Sequence, residues 1–260
     1  MGCIATVCYR AKPGKEEALH ALCATHYARL YVQGFVSRRL PVFMTARDGT
    51  VVQVLEWKSQ HAIEAARHSP RISELRGEYQ DVSDLVPLAS LSEAAGPLAL
   101  FDSAPFGVAL PPFHKVYNHV QVDERISTSG VITAAVVEEI AREGYSGVIN
   151  LLPESSPYAL ADEASRARAN ALAYHYIPVD FAAPTRDDYA AFERALSAFD
   201  PEQRVYVHCA ANMRVSAFMA IYGVRHMGWS AERAQQHIAE VWEPNEIWRT
   251  FLSAELSSTS

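Results

Sequence analysis

Two textures of hydrophobic and polar positions divide this chain. Over the first hundred residues, short β-rich runs and helical stretches follow one another as β-α-β-β-α-β. Ile4-Ala5-Thr6-Val7-Cys8-Tyr9 reads as a strand, and Pro13-Gly14 breaks it. From Glu16 to Val32 the positions Leu19, Leu22, Cys23, His26 and Leu30 fall on one helical face, and Gly34 stops the helix. The runs Pro41–Thr45 and Val51–Leu55 flank Arg47-Asp48-Gly49-Thr50, whose Asp-Gly pair predicts a hairpin. A helix over Gln60–Arg67 breaks at Ser69-Pro70 and resumes beyond it, and Val82–Leu91 offers a last strand. The pattern predicts a ferredoxin-like split βαβ unit.

Between Gly96 and Pro112 the chain carries Pro97, Pro105, Pro111 and Pro112 with Gly96 and Gly107 and few charges, which predicts a linker or an interdomain strap. Beyond it the period changes. Helical stretches (Thr133–Glu143, Ala161–Asn170, Arg186–Phe199, Val215–Met227, Ala231–Val241) alternate with apolar runs (Gly147–Leu152, Tyr174–Val179, Val205–Cys209). Such alternation implies a mostly parallel sheet flanked by helices. The expected architecture is an α+β ferredoxin-like domain over residues 1–95, a linker over 96–112 and an α/β domain over 113–260.

Charge and cysteine usage narrow the partners. The net charge is −7: residues 1–108 balance 11 basic against 11 acidic side chains, and residues 109–260 set 12 against 19. So acidic a second half is a poor match for nucleic acid or anionic lipid, which need a basic face. No run approaches the roughly 20 apolar residues needed to cross a bilayer. Cys3, Cys8, Cys23 and Cys209 form no CxxC pair and have no His at zinc-finger spacing. Reduced thiols in a cytoplasm are therefore expected, with no structural metal and no cofactor. No secretory signal stands at the start. Met1-Gly2-Cys3-Ile4-Ala5-Thr6 fits the bare myristoylation pattern, but a strand beginning at Ile4 leaves no tether, so the match reads as coincidence.

The chemistry concentrates in Val205-Tyr206-Val207-His208-Cys209-Ala210-Ala211-Asn212-Met213-Arg214-Val215-Ser216. A buried strand ends at a cysteine, a tight loop follows, and a helix begins near Arg214. That geometry aims backbone N–H groups and a helix N-terminus at one point, which makes an anion cradle and favours a thiolate. Arg214 adds a fork for two phosphate oxygens. Ser216 is placed to donate to the sulfur, and His208 to order the loop by hydrogen bonding. A buried core cysteine is the bland alternative. Thr185 is expected to cap a helix whose first turn holds Asp187 and Asp188.

These residues resemble the protein-tyrosine/dual-specificity phosphatase superfamily, in its bacterial branch with a shortened loop. Asp123–Gly130, Gly147–Leu151 and Ile177-Pro178-Val179-Asp180-Phe181 extend the resemblance over about residues 115–255. By it, Cys209 is the nucleophile and forms a phosphocysteine, Arg214 binds the phosphoryl group, and Asp180 protonates the leaving oxygen. Ala210, Ala211, Asn212 and Met213 with Arg214 form the phosphate-binding loop. The resemblance implies a phosphorylated protein or small molecule as substrate. The loop departs from the superfamily in holding four residues between Cys and Arg rather than five, and in lacking the usual glycine. Rhodanese-type sulfurtransferases use a short loop of about this size for a cysteine persulfide. A Cys209 persulfide and a non-catalytic oxyanion binder therefore stay open as alternatives.

In the first half, Phe43–Thr50, Leu55-Glu56-Trp57-Lys58-Ser59 and His68-Ser69-Pro70 resemble the antibiotic-biosynthesis-monooxygenase-like dimeric α+β barrels. The resemblance implies a homodimer through paired sheets. Residues 1–117 hold no Asn, a residue such monooxygenases often use, and Trp57 reads as core or interface. His61 and His68 lack a third ligand and read as solvated or capping residues. This half is expected to serve dimerisation or ligand sensing, with an oxygenase-like role as the alternative.

Overall fold

The computed structural model describes residues 2–257, and the chain divides into two compact units between Pro111 and Pro112. Met1, the first residue of the lipidation pattern, lies outside the described residues.

The N-terminal unit runs β1 (Cys3–Ala11), α1 (Glu16–Tyr31), β2 (Val42–Thr45), β3 (Val51–Trp57), α2 (Gln60–His68), α3 (Pro70–Val82) and β4 (Ser83–Val86). Its sheet is antiparallel in the order β4-β1-β3-β2, with Ala5 opposite Leu55 and Met44 opposite Val52. In α1 the buried Leu19, Cys23, Tyr27 and Leu30 recur every three or four residues, so one stripe faces the sheet. Gly49 at φ 83° closes the hairpin, where an L side chain would be strained. Ser69 ends α2 and caps α3 by accepting from the Ile72 N–H, with Pro70 in the first turn. Tyr9, Phe43, Val51 and Leu55 pack under the helices. On the opposite face Cys8, Ala46 and Val52 are covered by Leu91, carried there by 3₁₀ turns at Leu88–Ser90 and Ser92–Ala95.

One expectation for this unit needs correction. The last strand stops at Val86, because Pro87 offers no N–H to continue the ladder. Within the segment 96–112, β5 (Asp102–Ser103) pairs with β2, and Ala104, Phe106 and Val108 pack against the helix-side core. Their apolar area holds the strap down despite its prolines.

The C-terminal unit runs β6 (Val120–Gln121), β7 (Ile126–Ser129), α4 (Ala134–Arg142), β8 (Gly147–Asn150), α5 (Glu163–Ala169), β9 (Ala173–Tyr176), α6 (Arg186–Ser197), β10 (Val205–His208), α7 (Met213–His226), α8 (Ala231–Ala239) and α9 (Glu246–Ser257). Its sheet order is β6-β7-β10-β8-β9, parallel except for the β6–β7 pair. Central β10 is buried along its whole length, with Val205 and Val207 toward α6 and α7, and Tyr206 in a second core with Val137, Ile140 and Val148. A central parallel strand buried on both faces needs this near-continuous apolar run. Its carboxyl end is where such sheets open a binding crevice. The expected Thr185 cap is present, as a reciprocal capping box with Asp188. Among the described residues no helix is long and apolar enough to cross a membrane.

Candidate active site

The end of β10 is latched on both sides. The His208 carbonyl accepts from the Leu151 N–H at 2.9 Å, and the Cys209 N–H donates to the Ser129 carbonyl at 3.3 Å. The loop then turns between two fixed points. The Ala210 carbonyl accepts from the Val131 N–H at 3.0 Å, and the Ala211 carbonyl accepts from Asn118 Nδ2 at 3.1 Å. Both oxygens are thus drawn into the protein. Among the described residues, no protein acceptor takes the N–H groups of Ala210, Ala211, Met213 or Arg214. Free amides at the start of a helix, with their neighbouring carbonyls withdrawn, form a concavity of partial positive charge.

Asn212 supplies the turn for which a glycine was missing. It sits in the left-handed region at φ 63°, which Asn tolerates better than most residues. Its Nδ2 donates to the Asn118 carbonyl at 2.7 Å and to Thr128 Oγ1 at 3.0 Å, fixing the loop to the β6–β7 side. Gly130 makes the close approach possible. A Cβ there would lie 2.8 Å from the Ala210 carbonyl oxygen and 2.8 Å from the Tyr117 ring.

Arg214 stands in the first turn of α7. Its Nε donates to the Val179 carbonyl at 2.9 Å and its guanidinium lies 5.2 Å from the Phe181 ring centre. Its two terminal nitrogens have no protein acceptor among the described residues. A cavity of about 540 Å³ brings together Arg214, Asp180, Phe181, Ser155 and Ser156. Asp180 is exposed, and its Oδ1 accepts from the Ala182 N–H at 2.8 Å, which orients the carboxylate. Cys209 is fully buried and does not line that cavity. Arg214 and Asp180 therefore share a space whose floor does not yet expose the sulfur.

Two supporting expectations need correction. Ser216 gives its proton to the Met213 carbonyl at 3.0 Å and accepts from Trp242 Nε1 at 3.1 Å, so its hydroxyl braces the first turn of α7 rather than the sulfur. His208 binds away from the loop: its Nε2 meets Glu163 Oε1 at 2.7 Å, with both side chains buried. Glu163 also accepts from Asn150 Nδ2 at 3.3 Å, and that amide reaches Tyr174 Oη at 3.0 Å. Burial, with the Glu163 charge behind it, pushes the Tyr174 phenol well above its usual range, so it stays protonated.

Sequence reasoning passed over Asn118, Thr128, Glu163, Ser155, Ser156, Trp242 and Trp248. Trp248 Nε1 donates to the Phe181 carbonyl at 2.9 Å, holding the Asp180 segment from the other side. Thr128 and Gly130 stood within the quoted Asp123–Gly130 motif, without a role. Among the described residues no group of three or more His, Cys, Asp or Glu is placed to hold a metal ion.

Comparison with known proteins gives partial matches. No family model matches the chain. Proteins named beta-lactamase hydrolase-like protein, from two strains of Xylella fastidiosa, are 34% identical over 106 residues, 39% of this chain and 24% of theirs. The chain thus spans about a quarter of the length of those relatives. Two crystal structures of a Shewanella putrefaciens CN-32 protein, provisionally named a phosphatase of DUF442, align with TM-scores of 0.52. They are 28% and 25% identical, and cover 57% and 58% of this chain and 97% and 99% of their own. The aligned 57–58% of the chain thus shares the fold of nearly the whole of a solved protein named a phosphatase.

Proposed function

We propose that the C-terminal unit is a cysteine-dependent phosphatase that hydrolyses a phosphomonoester through a phosphocysteine intermediate. The observation that carries this reading is the loop's pattern of withdrawn carbonyls and free amides after Cys209, with the terminal nitrogens of Arg214 unpaired beside it. Phosphate oxygens would take those amides and the Arg214 fork, which stabilise charge where it builds in the transition state. The Cys209 sulfur then attacks phosphorus as the bond to the leaving oxygen breaks, and Asp180 gives that oxygen its proton. In the second half, Asp180 takes a proton from water, water attacks phosphorus, and the sulfur leaves as thiolate. Because Cys209 is fully buried, attack requires the loop side chains to part as the phosphate enters. The name carried by the Shewanella relative, a phosphatase, supports phosphate-ester hydrolysis as the reaction class.

For the N-terminal unit we infer a ferredoxin-like module that pairs with a second copy through its sheet. Ile4 and Val42, on the face away from the helices, are 62% and 54% exposed, which suits burial by a partner.

The deciding experiment assays the full chain with p-nitrophenyl phosphate beside thiosulfate-to-cyanide sulfur transfer, with Cys209→Ser in both. Phosphate release that disappears in the variant is the expected result. Thiocyanate without phosphate release would replace the reading with a Cys209 persulfide, which the four-residue loop favours. Silence in both assays would make the unit an oxyanion binder.

A further inference from the structure

A large cavity in the N-terminal unit lies far in sequence from Cys209 and is untouched by the phosphatase reading. It holds about 850 Å³ between the helix-side face of the sheet and α1, α2 and α3. That is the size range of pockets for drug-sized molecules. Its walls are apolar and aromatic: Leu30, Leu55, Trp57, Ile72, Leu75 and Tyr79 among them.

Gln53 and His26 form a polar pair set among those walls, and Lys12, Arg67, Arg76, Gln80, Ser83 and Asp84 also line the cavity. Gln53 on β3 is 1% exposed, and its Oε1 meets His26 Nδ1 of α1 at 2.9 Å. An amide oxygen only accepts, so His26 carries its proton on Nδ1 and leaves Nε2 as an acceptor. Burial pushes the His26 pKa down to about 4, so the ring is neutral at physiological pH. Gln53 Nε2 is buried with no hydrogen-bond partner, and no protein group among those described takes His26 Nε2. A buried amide left unpaired forfeits the hydrogen bonds it made to water in the unfolded chain, and such groups are rare enough in native structures to call for a reason. Turning the Gln53 amide over exchanges the roles without removing the feature. The cavity would then offer a Gln53 oxygen and a His26 N–H. One donor and one acceptor stand side by side in either case.

Of the charged side chains at the lining, Arg67, Arg76 and Asp84 are exposed to solvent, where water screens them from an occupant beside Gln53 and His26. Lys12 Nζ is engaged by the Gln80 carbonyl at 2.5 Å, Arg76 by the Ala66 carbonyl at 3.1 Å, and Arg67 by Glu64 at 2.9 Å. Their positive charge is accompanied by Asp84 in the same lining. Next to Gln53 and His26 no charged side chain waits for a counter-ion.

We propose that this cavity binds an uncharged, mainly apolar small molecule bearing an amide-type donor–acceptor pair, a lactam or carboxamide on a ring system, read by Gln53 and His26 together. The apolar walls supply affinity through burial, and the pair supplies selection, since a ligand without an acceptor for it leaves the buried Gln53 amide unmatched.

Isothermal titration of the full chain with isoquinolin-1-one tests this, with its N-methyl derivative and 2-naphthoate alongside. Saturable one-site binding of the lactam is expected, about tenfold weaker for the N-methyl compound, which keeps the oxygen and loses the donor. Gln53→Leu is expected to weaken the lactam about tenfold and to leave the difference between lactam and N-methyl compound reduced. The N-methyl comparison uses the unaltered protein, so it decides even if Gln53→Leu does not fold. No saturable lactam binding, equal affinity for the N-methyl compound, or tighter binding of 2-naphthoate would each overturn the proposal.

Discussion

Arg214 donates through Nε to the Val179 carbonyl at 2.9 Å, which fastens the guanidinium to the residue before Asp180. One nitrogen is spent on position and two are kept for an anion. A lysine can do one of these tasks at most, because its single ammonium carries no planar fork. Arg214→Lys is therefore expected to lower kcat/KM for p-nitrophenyl phosphate by at least about 100-fold, or about 2.7 kcal/mol of transition-state stabilisation. Steady-state kinetics of the purified variant check this, and near-normal turnover would make Arg214 a purely structural residue.

Gly130 lies under the same loop from the β7 side. A methyl group there meets backbone oxygen and an aromatic ring at 2.8 Å, and the Ala210 carbonyl has no room to retreat while it is held by Val131. Gly130→Ala should displace the loop, with a loss of about 1–3 kcal/mol in stability and a larger proportional loss in turnover. Urea unfolding and phosphatase kinetics on one preparation separate the two. A variant with normal stability and normal kcat would mean that the loop does not need this approach.

The strand–loop–helix carrying Cys209 was legible because Val205-Tyr206-Val207 is apolar on both faces, a pattern only a central strand needs. β7 was not read as a strand. Three of its four residues are hydroxylated, yet all four are buried, with Ser127 donating to Gln121 Oε1 at 2.8 Å and Ser129 to the Gly130 carbonyl at 2.9 Å. Helix α9 was missed because one position of its buried stripe is Glu255, which is neutralised by Arg186 and Arg225, while Ile247 points outward at 45% exposure. In the site, Cys209, Arg214 and Asp180 could be named from local motifs. Asn118 and Glu163 act across 93 and 45 residues of chain, and no local pattern marks such partners. The missing loop glycine was the wrong residue to look for, since Asn212 meets the same backbone requirement and adds a side-chain latch.

Asn212 separates those two contributions. Asn212→Gly keeps the left-handed turn free of strain and loses both Nδ2 bonds, whereas Asn212→Ala loses the bonds and adds a backbone cost of about 1–2 kcal/mol. Both variants should be less stable than the natural chain, and alanine should be the worse by about 1 kcal/mol. Denaturant midpoints with unchanged slopes test the order. Equal stabilities would assign the whole effect to the side-chain bonds.

His26 makes the N-terminal unit sensitive to mild acid. Its folded pKa is about 4 against an ordinary 6.5, burial being the main cause, so between those values the unfolded chain binds a proton that the folded chain refuses. Stability must then rise with pH across this window and fall as pH drops through it, by about 2 kcal/mol between pH 7.5 and pH 5. Asp48 and Glu78, both held below their ordinary range chiefly by hydrogen bonds to Thr50 and to Arg29, lose their contributions only at lower pH. Tyr9 and Cys23 are pushed upward by burial and stay protonated throughout. The interval from pH 5 to 7.5 thus lies clear of these four groups. Amide hydrogen exchange of α1 and β3 in the full chain, corrected for intrinsic rates, reads the stability of this unit alone. His26→Phe, which cannot take up a proton, should flatten the slope, and an unchanged slope in that variant would place the acid sensitivity elsewhere.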